Sequence, residues 1–269
     1  MGYRIFALCL RQLLDNLPMA VRLSWFWLVV FGLVYAGSFG IMFFAFWPPT
    51  STEPPTGAWI AAMAIFFPLI LAVAVIAYCT IAIGWHRYIL RDEVPDRFYV
   101  ARPEWPLFRY FWNIFKIFLI MLLFIIPTMI IATPVLGSLF TTTTQGQMPS
   151  PSAAIIMMVF VLILGTINTW IILRLGMILP ATALGKTISI ADSFRLTRPL
   201  AAQLFITTLC MVLLQFIPGA LEQGLVFLAG PSTMMSTLIL PFHLIISCIN
   251  LFVGIGVLTV VYGHLAENR

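Results

Sequence analysis

The sequence predicts an all-α integral membrane protein with six transmembrane helices, and three observations predict it. Its residues are 62% hydrophobic and only 9% charged, whereas a soluble domain averages about 25% charged. Mean hydropathy is +1.06. The apolar residues come in long runs and not in the alternating pattern, over about ten positions, of a transmembrane barrel. A self-sufficient soluble domain is therefore excluded, and a helical bundle remains.

The first segment, residues 1–22, reads as an amphipathic helix lying in the membrane interface. Phe6, Leu10, Leu13, Leu14 and Leu17 share one helical face, and Arg4, Arg11, Gln12, Asp15 and Asn16 fall on the other. Because Arg4, Arg11 and Asp15 are spread through it, a cleavable signal peptide is not expected. Phe6 stands where myristoylation needs Ser or Thr. Pro18 is expected to break the chain's direction before the first span.

Crossing about 30 Å of hydrocarbon takes about 20 apolar residues, since each rises about 1.5 Å and every backbone polar group must be satisfied within the segment. Six stretches qualify: Leu23–Trp47, Ala58–Gly84, Phe111–Leu136, Ser152–Leu173, Leu200–Gly219 and Ser236–Tyr262. Pro68, Pro127, Pro134, Pro218 and Pro241 lie in or at the ends of these spans. Proline is frequent in membrane helices, so they do not by themselves indicate a cavity.

All 14 basic residues sit before span one, between spans two and three or at that edge of span three, between four and five, or after six. The opposite loops carry only Glu53 and Glu222. Lys and Arg are retained on the cytoplasmic face, so both termini are expected inside (N-in/C-in), with the amphipathic helices on that side. Trp25, Trp27, Trp47, Trp59, Trp85, Trp105, Trp112 and Trp170 fall near span ends, where an indole meets head groups.

The spacing also suggests a three-fold repeat of helical hairpins. Arg22, Arg109 and Arg198 are 87 and 89 residues apart, and Arg87, Arg174 and Tyr262 are 87 and 88 apart. Each unit would begin with an interfacial helix, at Arg11–Leu23, Pro103–Trp112 and Ser189–Pro199. Six-span proteins with short outer loops show similar spacing without a repeat, and few residues are identical. In the third unit Ser189 and Asp192 have the spacing of a helix cap.

Candidate chemistry is sparse. Cys9, Cys79, Cys210 and Cys248 include no C-x-x-C pair and read as reduced packing residues. His243, Ser247 and Asn250 share a face of span six. An ionisable group at membrane depth is a functional candidate. The plainer reading is a neutral His243 hydrogen-bonded to a neighbouring helix, with Asn168 and Thr169 of span four as partners. Lys116 lies inside span three, and ending span five at Pro218-Gly219 puts Glu222 in the outer interface. No G-x-S-x-G, H-E-x-x-H or P-loop pattern occurs, so no catalytic residue, cofactor or metal site is expected. The inner loops, with His86, Arg87, Arg91, Arg174, Arg195 and Arg198, are the expected docking sites. Near the first of these, His86 with Asp92, Glu93 and Asp96 is explained by a solvated loop, and His86 and His264 suit head-group contact. Acidic and basic charges nearly balance there, which argues against nucleic acid.

Two segments carry a resemblance. Trp85-His-Arg-Tyr-Ile-Leu90, and Arg174 to Pro180 continuing to Ala191-Asp-Ser-Phe-Arg-Leu-Thr-Arg198, resemble the inner loops of uncharacterised polytopic bacterial inner-membrane proteins. That group is similar to the membrane domain attached to some glycerophosphodiester phosphodiesterases, whose catalytic domain has no counterpart here. The resemblance implies a bacterial inner membrane and no assigned activity. The expected function is a non-enzymatic scaffold or accessory subunit of a membrane complex or envelope process, with the lipid bilayer and a membrane protein as partners. The alternative is a transporter or channel for an apolar or lipid-like solute.

Overall fold

The computed structural model describes residues 2–46, 57–94, 105–141, 151–229 and 233–266. All elements among them are helical: α1 (Gly2–Asp15), α2 (Leu17–Phe46), α3 (Gly57–Arg91), α4 (Trp105–Thr141), α5 (Pro151–Leu175), α6 (Ile178–Ala183), α7 (Ile190–Leu196), a 3-10 turn (Arg198–Leu200), α8 (Ala201–Ala229) and α9 (Thr233–Ala266). Six of these, α2, α3, α4, α5, α8 and α9, are long and apolar enough to cross a membrane. The chain is a multi-pass helical membrane protein, as the six apolar runs predict. Glu53, Asp96, Arg97, Arg102 and Arg269 lie outside the described residues, as do Trp47 and the side chains of Trp59, Trp105, Pro134, Glu222 and Pro241.

Two compact units make up the chain: Asn16–Phe111, and Met1–Asp15 together with Trp112–Arg269. In the first, α2 and α3 pack as a hairpin. The break between helices falls at Asn16, two residues before Pro18, and the Asn16 carbonyl accepts from the amides of Met19 and Ala20 at 3.0 Å each. Pro18 sits in the opening turn of α2, where a missing N–H leaves no intrahelical bond unmade. The Tyr88 hydroxyl donates to Asn16 Oδ1 at 2.7 Å and ties the end of α3 to the start of α2. α3 closes at Asp92, one of the few residue types that tolerates a left-handed backbone (φ 56°), with its amide donating to the Tyr88 carbonyl.

In the second unit α9 is the central helix, with α1, α5, α6 and α8 packed on it. Half of its apolar stretch is buried, against 6% in that of α5. α1 docks on α8 and α9 through small residues. Thr207 Oγ1 lies 2.9 Å from the Gly2 carbonyl and 2.8 Å from the Gln203 carbonyl, which share its one proton. A Cβ on Gly2 would overlap the Gln203 carbonyl and Ile206, and one on Gly256 would lie 3.6 Å from Cys9 Cβ. The Cys9 thiol is buried, and desolvation pushes its pKa up to about 12. The buried residues of α1 are Gly2, Cys9 and Leu13, while Leu14 and Leu17 of the expected apolar face are exposed.

The segment between α5 and α8 folds tightly. All six residues of α6 are buried. Gly176 permits the turn into it: a Cβ there would lie 2.8 Å from the Ile172 carbonyl and 2.9 Å from Leu258. Gly185 ends α6 with φ 78°, its amide bonded to the Thr182 carbonyl and that of Lys186 to the Ala181 carbonyl, a Schellman closure that glycine adopts without a Cβ penalty. α7 starts at a full capping box: Ser189 Oγ accepts from the Asp192 amide, and the Asp192 carboxylate accepts from the Ser189 amide.

Several sequence expectations shift. Pro103–Trp112 forms no separate interfacial helix, because α4 runs unbroken from Trp105. α8 does not end at Pro218-Gly219 but continues to Ala229, so Glu222 lies on a helix. Trp27 and Trp85 are buried, and the Trp170 indole donates to the Ala201 carbonyl at 2.7 Å, so the indoles do not all face head groups. Trp25 and Trp112 are exposed, as expected.

Gly176→Val should lower the stability of the purified protein by about 1–3 kcal/mol through overpacking against Leu258. Reversible unfolding in mixed micelles measures it; an unchanged midpoint would show that the turn into α6 has room to spare.

Candidate functional site

Helical spacing places Ser247 and Asn250 on one face of α9, with His243 one turn beyond Ser247 and half-buried. Ser247 and Asn250 meet polar groups of α8. Asn250 Nδ2 donates to Gln215 Oε1 at 2.8 Å and lies 3.2 Å from the Met211 carbonyl. Gln215 Nε2 lies 3.4 Å from Ser247 Oγ. Asn168, on α5, takes no part in these bonds. Gln215 is the residue that sequence reasoning missed. Its signal was a primary amide in an otherwise apolar stretch, three residues before Pro218.

This cluster lies within the apolar stretches of both helices, Arg198–Leu221 and Phe242–Ala266. Gln215 and Ser247 are exposed and Asn250 is half-buried. Asn250 Oδ1 is shielded and has no hydrogen-bond partner among the described residues. The arrangement is a polar, uncharged opening on an apolar helix pair.

The residues expected to dock partners divide. His86 is fully buried, with Nε2 3.1 Å from the Tyr110 hydroxyl, and is corrected from a docking residue to a packing one. Arg174 is likewise internal: its guanidinium lies 3.4 Å from the Phe194 ring centroid and 5.0 Å from that of Trp170. It also donates to the Phe194 carbonyl at 3.0 Å. Ser193 Oγ lies 2.8 Å from the carbonyls of both Arg174 and Leu175, closing the end of α5 over this clasp. Arg87 and Arg91 share Glu93 at 3.9 and 3.6 Å, and Arg195 pairs with Asp192 at 2.7 Å. Arg198 is exposed.

Lys116, the one cation inside a predicted span, donates to Asn113 Oδ1 at 3.4 Å, and Asn113 Nδ2 donates to Thr182 Oγ1 at 2.9 Å. Its charge thus meets a polar chain reaching α6. Among the described residues no cluster of His, Cys, Asp and Glu is arranged to hold a metal. Comparisons with protein-family models, with curated proteins and with solved structures find no match.

The Ser189 hydroxyl, with the Ser189 amide and Arg195 beside it, holds the Asp192 carboxyl below its ordinary value of 3.8. A carboxylate depressed in the folded state adds stability above its unfolded pKa and loses it as the pH falls through the folded one. Hydrogen exchange at the Asp192 and Ser193 amides should therefore differ between wild type and Asp192→Asn at neutral pH and converge below the carboxylate range.

In the polar cluster, a double-mutant cycle of Gln215→Leu and Asn250→Leu should give a coupling of about 0.6 kcal/mol, at most about 1.7, as for interhelical bonds in membranes. A coupling of zero would mean that the Gln215–Asn250 bond contributes nothing to helix association.

Proposed function

We propose that this chain is a non-enzymatic accessory or scaffold subunit of a membrane complex, which binds a second membrane protein laterally through the polar opening of α8 and α9. The observation that carries this reading is the Gln215–Ser247–Asn250 cluster: exposed amide and hydroxyl groups, and one carbonyl oxygen without a partner, in stretches otherwise suited to hydrocarbon. Lipid chains offer such groups no hydrogen bond, so a neighbouring helix that supplies a donor and an acceptor is favoured over lipid at this face. Glycine at position 254 faces Met211 and lets α8 and α9 approach closely, which fixes the spacing of the cluster.

The distribution of the 14 basic residues supports an orientation with both termini in the cytoplasm. With the resemblance of the inner loops, it supports the bacterial inner membrane as the location. The interfacial face of α1, bearing exposed Arg4 and Arg11, is consistent with the same side.

Purification in mild detergent should recover one membrane protein in stoichiometric amount with the wild type. The Gln215→Leu, Asn250→Leu double variant should lose it while keeping its own elution volume and helix content. Recovery of the chain alone under several gentle conditions, association with only a second copy of itself, or a partner retained unchanged by the double variant would each overturn the reading.

A further inference from the structure

Where α1 meets the 3-10 turn, the start of α8 and the end of α9, they form an open pocket of about 280 Å³ lined by Arg4, Ile5, Leu200, Gln203, Val260, Val261 and His264. It lies at the ends of the apolar stretches of α8 and α9, which begin at Arg198 and finish at Ala266, and so at the boundary between hydrocarbon and water. Its lining has two characters. Ile5, Leu200, Val260 and Val261 are aliphatic; Arg4, Gln203 and His264 supply a fixed cation, an amide and an imidazole, each with an N–H to donate.

Arg4 is available to a ligand. Arg11, Arg91 and Arg195 are paired with carboxylates, whereas Arg4 forms no ion pair among the described residues and only approaches the Tyr3 hydroxyl, at 3.4 Å. Arg4 and His264 are both exposed at the mouth. The volume is at or below the lower end of the roughly 300–1,000 Å³ of small-molecule sites. It admits a head group but not a diacyl lipid, whose chains would stay outside in the bilayer.

We propose that this cavity binds the phosphate head group of an anionic phospholipid, held by Arg4 and His264, with the acyl chains running out over the aliphatic wall. An anion is selected because the described residues lining the site include a guanidinium and no carboxylate. An amphiphile is selected because four of the seven lining residues are aliphatic. The docking of α1 makes the site, since Arg4 and Ile5 form one wall and the Gly2–Thr207 contact holds that wall in place.

The test is native mass spectrometry of the full chain released from nanodiscs of phosphatidylglycerol, phosphatidylcholine or an equal mixture. One phosphatidylglycerol per chain should survive release, be preferred over phosphatidylcholine, and resist displacement by millimolar inorganic phosphate. Arg4→Gln and His264→Gln should each weaken retention about fivefold, with Arg11→Gln unchanged. Gly2→Val should also reduce retention by moving the wall. In the wild type, photoactivatable phosphatidylglycerol should crosslink to peptides covering residues 2–10 and 257–266. Equal retention of the two lipids, retention unaffected by the Arg4 and His264 variants, crosslinks elsewhere only, or displacement by phosphate alone would overturn the proposal, the last reassigning the site to a free anion.

Discussion

Every feature of this protein depends on one constraint: in a solvent without hydrogen-bonding partners, each polar group must find its partner within the protein. The backbone meets it by forming helices. The hydroxyls inside the spans meet it by bonding the carbonyl four residues back, as Ser24 does to Ala20, Thr80 to Ile76, Thr128 to Phe124, Thr166 to Leu162 and Thr259 to Ile255, at 2.7–2.8 Å. These side chains satisfy themselves locally and demand nothing of a neighbour. Interhelical architecture is set instead by helix-end groups with no such local partner and by hydroxyls such as Thr207, which reach a second helix besides their own.

Those groups locate the organised parts of the second unit. The terminal carbonyls of α5 at Arg174 and Leu175 are closed by Ser193, which draws α7 back over the helix end. The Arg174 guanidinium then fills the space between Trp170 and Phe194. Far along the chain, the Gly2 carbonyl takes a bond from Thr207, and the absent side chain at Gly2 lets α1 lie against α8. One long-range hydrogen bond and one missing methyl group thus convert an N-terminal segment into part of a packed core.

The six spans were legible because helix length and hydropathy follow from bilayer thickness alone, and each long run became a helix. The cap at Ser189 was legible for the same kind of reason, since its chemistry is local in sequence. What sequence could not disclose was which polar residue meets which. Arg174 and His86 look like surface charges in a loop; both are buried, because the flanking aromatics at Phe194 and Tyr110 come from elements 20 and 24 residues away. Of the buried residues of α1, only Leu13 lies on the apolar face that hydropathy picks out, because the small size of Gly2 and Cys9 carries no hydropathy signal. Gln215 escaped notice because its role exists only opposite Asn250.

The central helix shows how the two candidate sites differ. From Phe252 to Tyr262, α9 is almost wholly buried beneath α1, α5, α6 and α8. Two turns before that stretch, Leu244 and Ile245 are exposed. Asn250 lies at the changeover from open to sealed packing, so its amide reaches α8 from one side while its environment remains accessible from the other. The cavity by contrast opens past the sealed half, at the helix end where α1 replaces lipid. A group approaching Asn250 must come laterally through hydrocarbon, and only another membrane helix carries polar atoms there. A group approaching Arg4 and His264 comes through the head-group layer, where anions are abundant. The same helix therefore separates two surfaces by the solvent each one meets, and that separation, more than any single side chain, would let the proposed protein partner and the proposed lipid bind one small bundle without competing.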